Sequence, residues 1–221
     1  LFLFKGGFIM KKTFTFLLVC MLVFSLSATA FAVDQDSIDI TDVQSQMEEY
    51  LQNVNLPIEV ENFSVSLRND LDLSQYSDKE ISDLLQKDVE QIKAVLSSTE
   101  KRFIAKPQTR LANHGGGEYT AEVWAGVPSI GWSTVKQDFK ASISGGKIQS
   151  ITFLGDGYMD GVSWGQYNHI RSWYDIYSNN TKVDINIKGD INYLFNLVNA
   201  NYTATFLEEL QVSGNILERQ W

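Results

Sequence analysis

The sequence predicts an α+β fold, with N-terminal amphipathic helices packed on a C-terminal antiparallel β-sheet curled into a barrel or sandwich. Three observations carry this prediction. No glycine lies between Phe8 and His114, whereas thirteen of the 15 glycines fall from Gly115 onward. All five tryptophans also lie in that later half. Apolar residues recur at helical spacing early in the chain and alternate with polar ones later, the two periods that separate helix from strand. The organisation that follows is an upstream tail and leader over residues 1–32, a helical segment over 33–114 and an antiparallel β domain over 115–221. A turn-rich linker over residues 106–117 joins the last two.

The first element is the leader. Lys11 and Lys12 precede an apolar run, and small residues stand at Ala30 and Ala32. This is the layout of a secretory signal peptide, with cleavage expected before Val33 and the translation start at Met10. Lys5-Gly6-Gly7 can be encoded by a purine-rich ribosome-binding sequence, so residues 1–9 read as untranslated leader. The run over residues 14–26 is thirteen residues long, short of the roughly 20 that span a bilayer as a helix. Cys20 follows Val19, too bulky for the position before a lipidated cysteine, and lies too early in the run. The expected product is a secreted, extracellular protein with no transmembrane anchor.

Cleavage leaves 189 of the 221 residues and removes Cys20, the single cysteine. The mature chain then has no disulfide, thiolate nucleophile or cysteine-ligated metal. Of 18 basic residues, Lys5, Lys11 and Lys12 leave with the leader, so 15 face 27 acidic ones, a net charge of −12. Such a surface repels nucleic acid and anionic lipid, and suits neutral sugars, peptides or cationic partners.

Two helices are expected next. Thr41-Asp42-Val43-Gln44 has the spacing of a capping box, followed by Val43, Met47, Tyr50, Leu51 and Val54 at helical intervals. Pro57 ends that helix. A second box, Ser77-Asp78-Lys79-Glu80, opens a helix whose apolar face carries Ile81, Leu84, Leu85, Val89, Ile92, Val95 and Leu96. Between them, residues 58–67 alternate imperfectly as a short strand.

The β half is read from its turns. Residues 134–144 alternate, Gly145-Gly146 accepts positive φ at both turn positions, and residues 147–154 return as the partner strand. Asn179-Asn180 separates residues 173–178 from 181–188 in the same way. With residues 118–125, 162–170 and 202–207, six or more strands are expected. Residues 191–199 fit either a strand or a short helix capped by Asp190.

One constellation carries chemistry. If residues 165–177 run extended, Tyr167, His169, Arg171, Trp173, Asp175 and Tyr177 share one face, setting aromatic planes beside hydrogen-bonding groups. Of these, Tyr167, His169, Arg171, Trp173 and Tyr177 are the expected ligand-binding residues, for a sugar, peptide or protein ligand. Trp164 falls on the opposite face and is expected in the core.

Other motifs are incomplete. Asp156-Gly157-Tyr158-Met159-Asp160-Gly161 starts like a calcium loop, but Tyr158 stands at its third position and Tyr167 at its twelfth, where a bidentate Glu is needed. His114-Gly115-Gly116-Gly117 has the composition of an esterase oxyanion segment, yet the chain has no nucleophile elbow and no HExxH pair, so the segment reads as a flexible linker. No cofactor motif is present, and no metal site is expected.

The stretch from Gly131-Trp132-Ser133-Thr134-Val135 through Gly145-Gly146-Lys147-Ile148, behind a leader and helical segment, resembles small secreted β-rich proteins of Gram-positive bacteria. That resemblance implies secretion and β architecture, and no catalytic residue. Two functions follow as expectations. One is a non-catalytic extracellular protein binding a ligand through its aromatic-polar β face. The other is a hydrolase of cell-wall glycan or peptide using carboxylates and His169. Convergence of Asp156, Asp160, Asp175 and His169 in one cleft separates them, since a carboxylate pair must flank its substrate.

Overall fold

A computed structural model describes residues 38–107, 114–127, 131–162 and 165–220. The leader, Cys20, the cleavage site and Trp164 lie outside the described residues. Residues 38 and 72–80 fall in one unit; residues 39–71 and 81–220 fall in the other.

Helix α1 spans Thr41–Asn53 and buries Val43 and Met47. Its expected capping box does not form, because the helix starts one residue earlier, with Ile40 at the N-cap and no side-chain cap bond. Thr41 is the first helical residue, and its N–H is held at 2.8 Å by the carboxylate of Asp39. The second capping box forms as expected. Glu80 N–H donates to Ser77 Oγ (3.3 Å), while the Glu80 carboxylate accepts from Ser77 N–H (2.8 Å). Helix α2, Asp78–Ser97, follows and buries Ile81, Val89, Ile92, Val95 and Leu96 from its apolar stripe.

The described residues form ten strands: β1 Glu59–Leu67, β2 Glu100–Pro107, β3 His114–Val127, β4 Gly131–Ser144, β5 Lys147–Phe153, β6 Tyr158–Val162, β7 Gly165–Tyr177, β8 Lys182–Leu194, β9 Val198–Ser213 and β10 Ile216–Arg219. They form two five-stranded sheets in which every ladder is antiparallel. One has the order β1-β9-β8-β7, with β10 also on β9; the other has β2-β3-β4-β5, with β6 also on β4. Neither sheet closes into a barrel.

The turns obey their residues. Gly145 and Gly146 take φ of 59° and 71° between β4 and β5. Ser178, Asn179 and Asn180 take φ of 51°, 57° and 63° between β7 and β8, a conformation asparagine tolerates better than most residues. Residues 191–194 continue β8 rather than opening a helix.

The glycine boundary is not where β structure begins. β1 and β2 precede residue 114 yet ladder onto β9 and β3. Nor is the His114-Gly-Gly-Gly stretch a linker. It opens β3, and Gly116 N–H donates to Asn215 O at 2.8 Å. A Cβ on Gly115 would stand 2.1 Å from the Cβ of Asn215, so glycine there serves close backbone approach.

Side chains of both sheets meet in the core. Ser133 Oγ on β4 and Tyr193 Oη on β8 lie 2.6 Å apart and buried. Leu217 N–H on β10 donates to Tyr119 Oη on β3, in a ring stack of Phe103, Tyr119 and Phe139. Helix α2 reaches the same unit through Asp88, which is fully buried. Its carboxylate accepts from the backbone N–H groups of Asn196, Leu197 and Val198, and so holds the β8–β9 turn.

Candidate functional site

Strand β7 carries the expected site residues, and its ladder with β8 decides where they point. His169 pairs with Gly189 and Arg171 with Lys188, so Ile170 is an extra, unpaired residue. A bulge of this kind switches the alternation of side chains beyond it. The expected single face of Tyr167, His169, Arg171, Trp173, Asp175 and Tyr177 is therefore divided. Tyr167 and His169 lie on the inner face, joined after the bulge by Ser172, Tyr174 and Ile176, which pair with buried Ile187, Ile185 and Val183. Arg171, Trp173, Asp175 and Tyr177 lie on the outer face.

On the inner face, His169 completes a line of polar groups. Its Nδ1 is 3.4 Å from the Asp156 carboxylate, and its Nε2 is 3.0 Å from Ser172 Oγ. Acid, imidazole and serine in this order are the parts of a nucleophilic triad. The fourth member changes the chemistry. Ser172 Oγ–H donates to Gln137 Oε1 at 2.6 Å, and Gln137 is fixed in that orientation because its Nε2 donates to the carbonyls of Asp138 and Gly155. The serine proton thus points away from the imidazole, and Ser172 Oγ accepts from His169. Gly157 packs over this line, where a Cβ would stand 3.1 Å from His169 Cδ2. The arrangement ties the β5–β6 loop to β4 and β7.

Tyr167 lies beside it, 6.4 Å from the His169 ring centroid to centroid. Its hydroxyl is buried with no hydrogen-bond partner among the described residues. Burial first, and then the negative charges of Asp156 and Asp190, push its pKa well above the ordinary phenol value.

The four acidic-loop and strand candidates do not converge. Asp156 meets His169, but the Asp160 carboxylate accepts from Lys136 Nζ at 3.0 Å, a contact that lowers the acid's pKa and raises the amine's. Asp175 is on the far side of β7. Residues 156–161 therefore do not gather their carboxylates as a calcium loop would.

The outer face of β7 begins a second, larger assembly. The Arg171 guanidinium lies over the Trp173 ring, 4.3 Å from its centroid. Tyr177 Oη donates to Asp184 at 2.9 Å and accepts from Gln220 at 2.9 Å. Towards the other end of the strand, residues of four adjacent strands, most of them outward, line a depression of about 430 Å³, with Tyr167, Ile191 and Tyr202 between the two outward rows. One row runs Asn168, Asp190, Thr203, the next Gln166, Asn192, Asn201, each across β7, β8 and β9. Asn62 of β1 closes the fourth side.

Five of these seven groups are locked to one another. Thr203 Oγ donates to Asp190 at 2.7 Å, Asn62 Nδ2 reaches Thr203 Oγ at 3.4 Å, and the Asn192 amide donates to Asn201. Asn62 sits in the bulge of β1 with φ of 53°, a left-handed backbone that costs a non-glycine residue energy and recurs at functional sites. The neighbouring cation is already paired, since Lys188 Nζ contacts both oxygens of Glu61 at 2.9 and 3.0 Å.

Of the expected residues, Arg171, Trp173 and Tyr177 share the outer face with this groove, whereas Tyr167, which borders it, and His169 belong to the inner face. Sequence reasoning missed Asn62, Asn168, Asp190, Asn192, Asn201 and Thr203, which come from four strands. The pattern of polar residues at every second position of β8 and β9 was the available signal, but strand order alone makes them neighbours.

No family model, no curated protein and no solved structure matches the chain. Among the described residues, no helix is long and apolar enough to cross a membrane.

Proposed function

We propose that the protein is a secreted, non-catalytic binding protein whose ligand sits on the outward face of β1-β9-β8-β7. The two sheets make a sandwich in this reading, with the helices covering its other apolar surface, and the leader directs export. The observation that carries it is the polar groove on that face: its size falls within the range of small-ligand sites, its side chains come from four strands, and five of them are held by one another before any ligand arrives. Arg171 and Trp173 extend the surface along β7.

A thermal-shift survey of sugars, peptides and small metabolites tests it. A ligand of the groove raises the melting temperature of the wild type and loses that effect in Asn168→Ala, whose side chain is exposed and whose removal leaves the core intact. A survey in which every stabilising compound acts equally on the variant contradicts the proposal.

The second reading is a hydrolase, and the Asp156–His169–Ser172 line is what favours it. The hydrogen bond from Ser172 to Gln137 opposes it, because a serine nucleophile must give its proton to the imidazole. Labelling of Ser172 by a fluorophosphonate, abolished by Ser172→Ala, would establish the hydrolase instead.

A further inference from the structure

Resting on the binding reading above, we propose that the ligand of the groove is a neutral saccharide, held by side-chain amides across the β7, β8, β9 and β1 strands. The first argument is charge. The groove contains one carboxylate, Asp190, and no cation, and Lys188 at its border is committed to Glu61. Within its lining an anionic ligand would meet Asp190 with no compensating charge, the flanking cations Lys188 and Arg171 being committed to Glu61 and to the Trp173 ring, and a lone carboxylate does not hold a metal cation, which needs several oxygen ligands.

The second argument is direction. A peptide recognised through its backbone adds to a free sheet edge, where unpaired N–H and C=O groups are presented. This groove lies across the face of the sheet. The backbone of β8 and β9 beneath its centre is spent on both sides, in the ladders with β7, with each other and with β1, so only side chains are offered there.

The third argument is the match of functional groups. Asn62, Gln166, Asn168, Asn192 and Asn201 each carry a donor NH₂ and an acceptor carbonyl, and Thr203 carries a hydroxyl. A sugar hydroxyl is likewise donor and acceptor, so vicinal hydroxyls pair with an amide in both directions. The internal bonds from Thr203 to Asp190 and between Asn192 and Asn201 fix which lone pairs and protons remain for the ligand. The strained backbone of Asn62 brings a further amide to the groove. Trp173 stands further along the same strand face under the exposed Arg171 guanidinium, whose N–H groups can donate to the hydroxyls of an extended chain.

The test is calorimetric titration of the full chain with hexasaccharides of β-1,4-linked glucose, xylose and N-acetylglucosamine. Oligogalacturonate serves as the charged counterpart and a random hexapeptide pool as the peptide arm. The expected result is binding of at least one neutral hexasaccharide, weakened tenfold or more in Asn168→Ala and in Asn192→Ala, with no binding of oligogalacturonate. Circular dichroism of each variant establishes that it is folded. Peptide binding that the same variants abolish overturns the saccharide assignment and leaves the binding reading standing. Sugar binding indifferent to both variants overturns the site. Absence of any groove-dependent binding across all arms overturns both.

Discussion

The ring of Tyr167 lies over Gly189, where a Cβ would stand 2.2 Å from Tyr167 Cε2 and 2.7 Å from its hydroxyl. Gly189 is a regular strand residue paired with His169, so its lack of a side chain, rather than an unusual φ, is what the ring requires. Replacing Gly189 by Ala should cost about 1–3 kcal/mol by overpacking. In a Tyr167→Ala background the same change should cost less than about 0.5 kcal/mol, a coupling that urea melts of the four proteins would measure. Equal costs in both backgrounds would mean the ring does not occupy that space.

Trp173 separates an outward residue from a core one. It is half-buried under Arg171 and belongs to the outer face of β7. Trp173→Ala should lower stability by about 1 kcal/mol or less, the scale of an exposed cation–π contact. A core tryptophan would cost about 3–5 kcal/mol, and a urea melt showing that loss would place Trp173 inside.

Asp88 predicts the opposite behaviour. Its carboxylate is fully buried and holds three backbone N–H groups of the β8–β9 turn, with Asn196 Nδ2 as a fourth donor at 2.6 Å. Asp88→Ala strands these donors, and should destabilise the fold by about 3 kcal/mol in chemical denaturation. A loss under about 1 kcal/mol would mean the turn finds other partners.

Alkaline pH should weaken the fold through its buried phenols. Burial raises the pKa of Tyr167, Tyr193 and Tyr202 above the usual value. A phenol with a folded pKa above its unfolded one favours folding while neutral. That contribution is complete below about pH 10 and is lost as pH climbs from there towards the folded value. Absorbance at the phenolate band should therefore show a buried class of tyrosines ionising above the ordinary phenol range, together with unfolding monitored by circular dichroism. Titration of all tyrosines in one reversible step near 10 would contradict this.

The elements were more legible in the sequence than the site was. The Ser77–Glu80 box, the α2 stripe, the Gly145-Gly146 turn and the Asn179-Asn180 turn each depend on residues close in the chain, where spacing decides geometry. What failed depends on contacts distant in sequence. The Ile170 bulge is invisible in the alternation of residues 165–177, because its effect is fixed by pairing with Gly189 and Lys188, and one extra residue reverses everything beyond it. The glycines at 115 and 116 looked like a linker because composition does not tell a flexible glycine from one pressed against Asn215. Asp88, seven residues after Ile81 and four before Ile92, falls on the apolar stripe of α2 and is buried there because a turn about a hundred residues later needs its oxygens. The groove gathers Asn62 and Asn201 from strands that only the β1–β9 ladder brings together.

The account turns on which face of β7 receives the ligand. The most direct measurement is an NMR titration of the side-chain amide resonances of ¹⁵N-labelled protein with a compound that stabilises it. The predicted result is that shifts concentrate on Asn62, Gln166, Asn168, Asn192 and Asn201, with the Trp173 indole following and the Gln137 amide unmoved. Shifts centred on Gln137 and the His169 ring, with the outer amides silent, would place the site on the inner line and contradict the account.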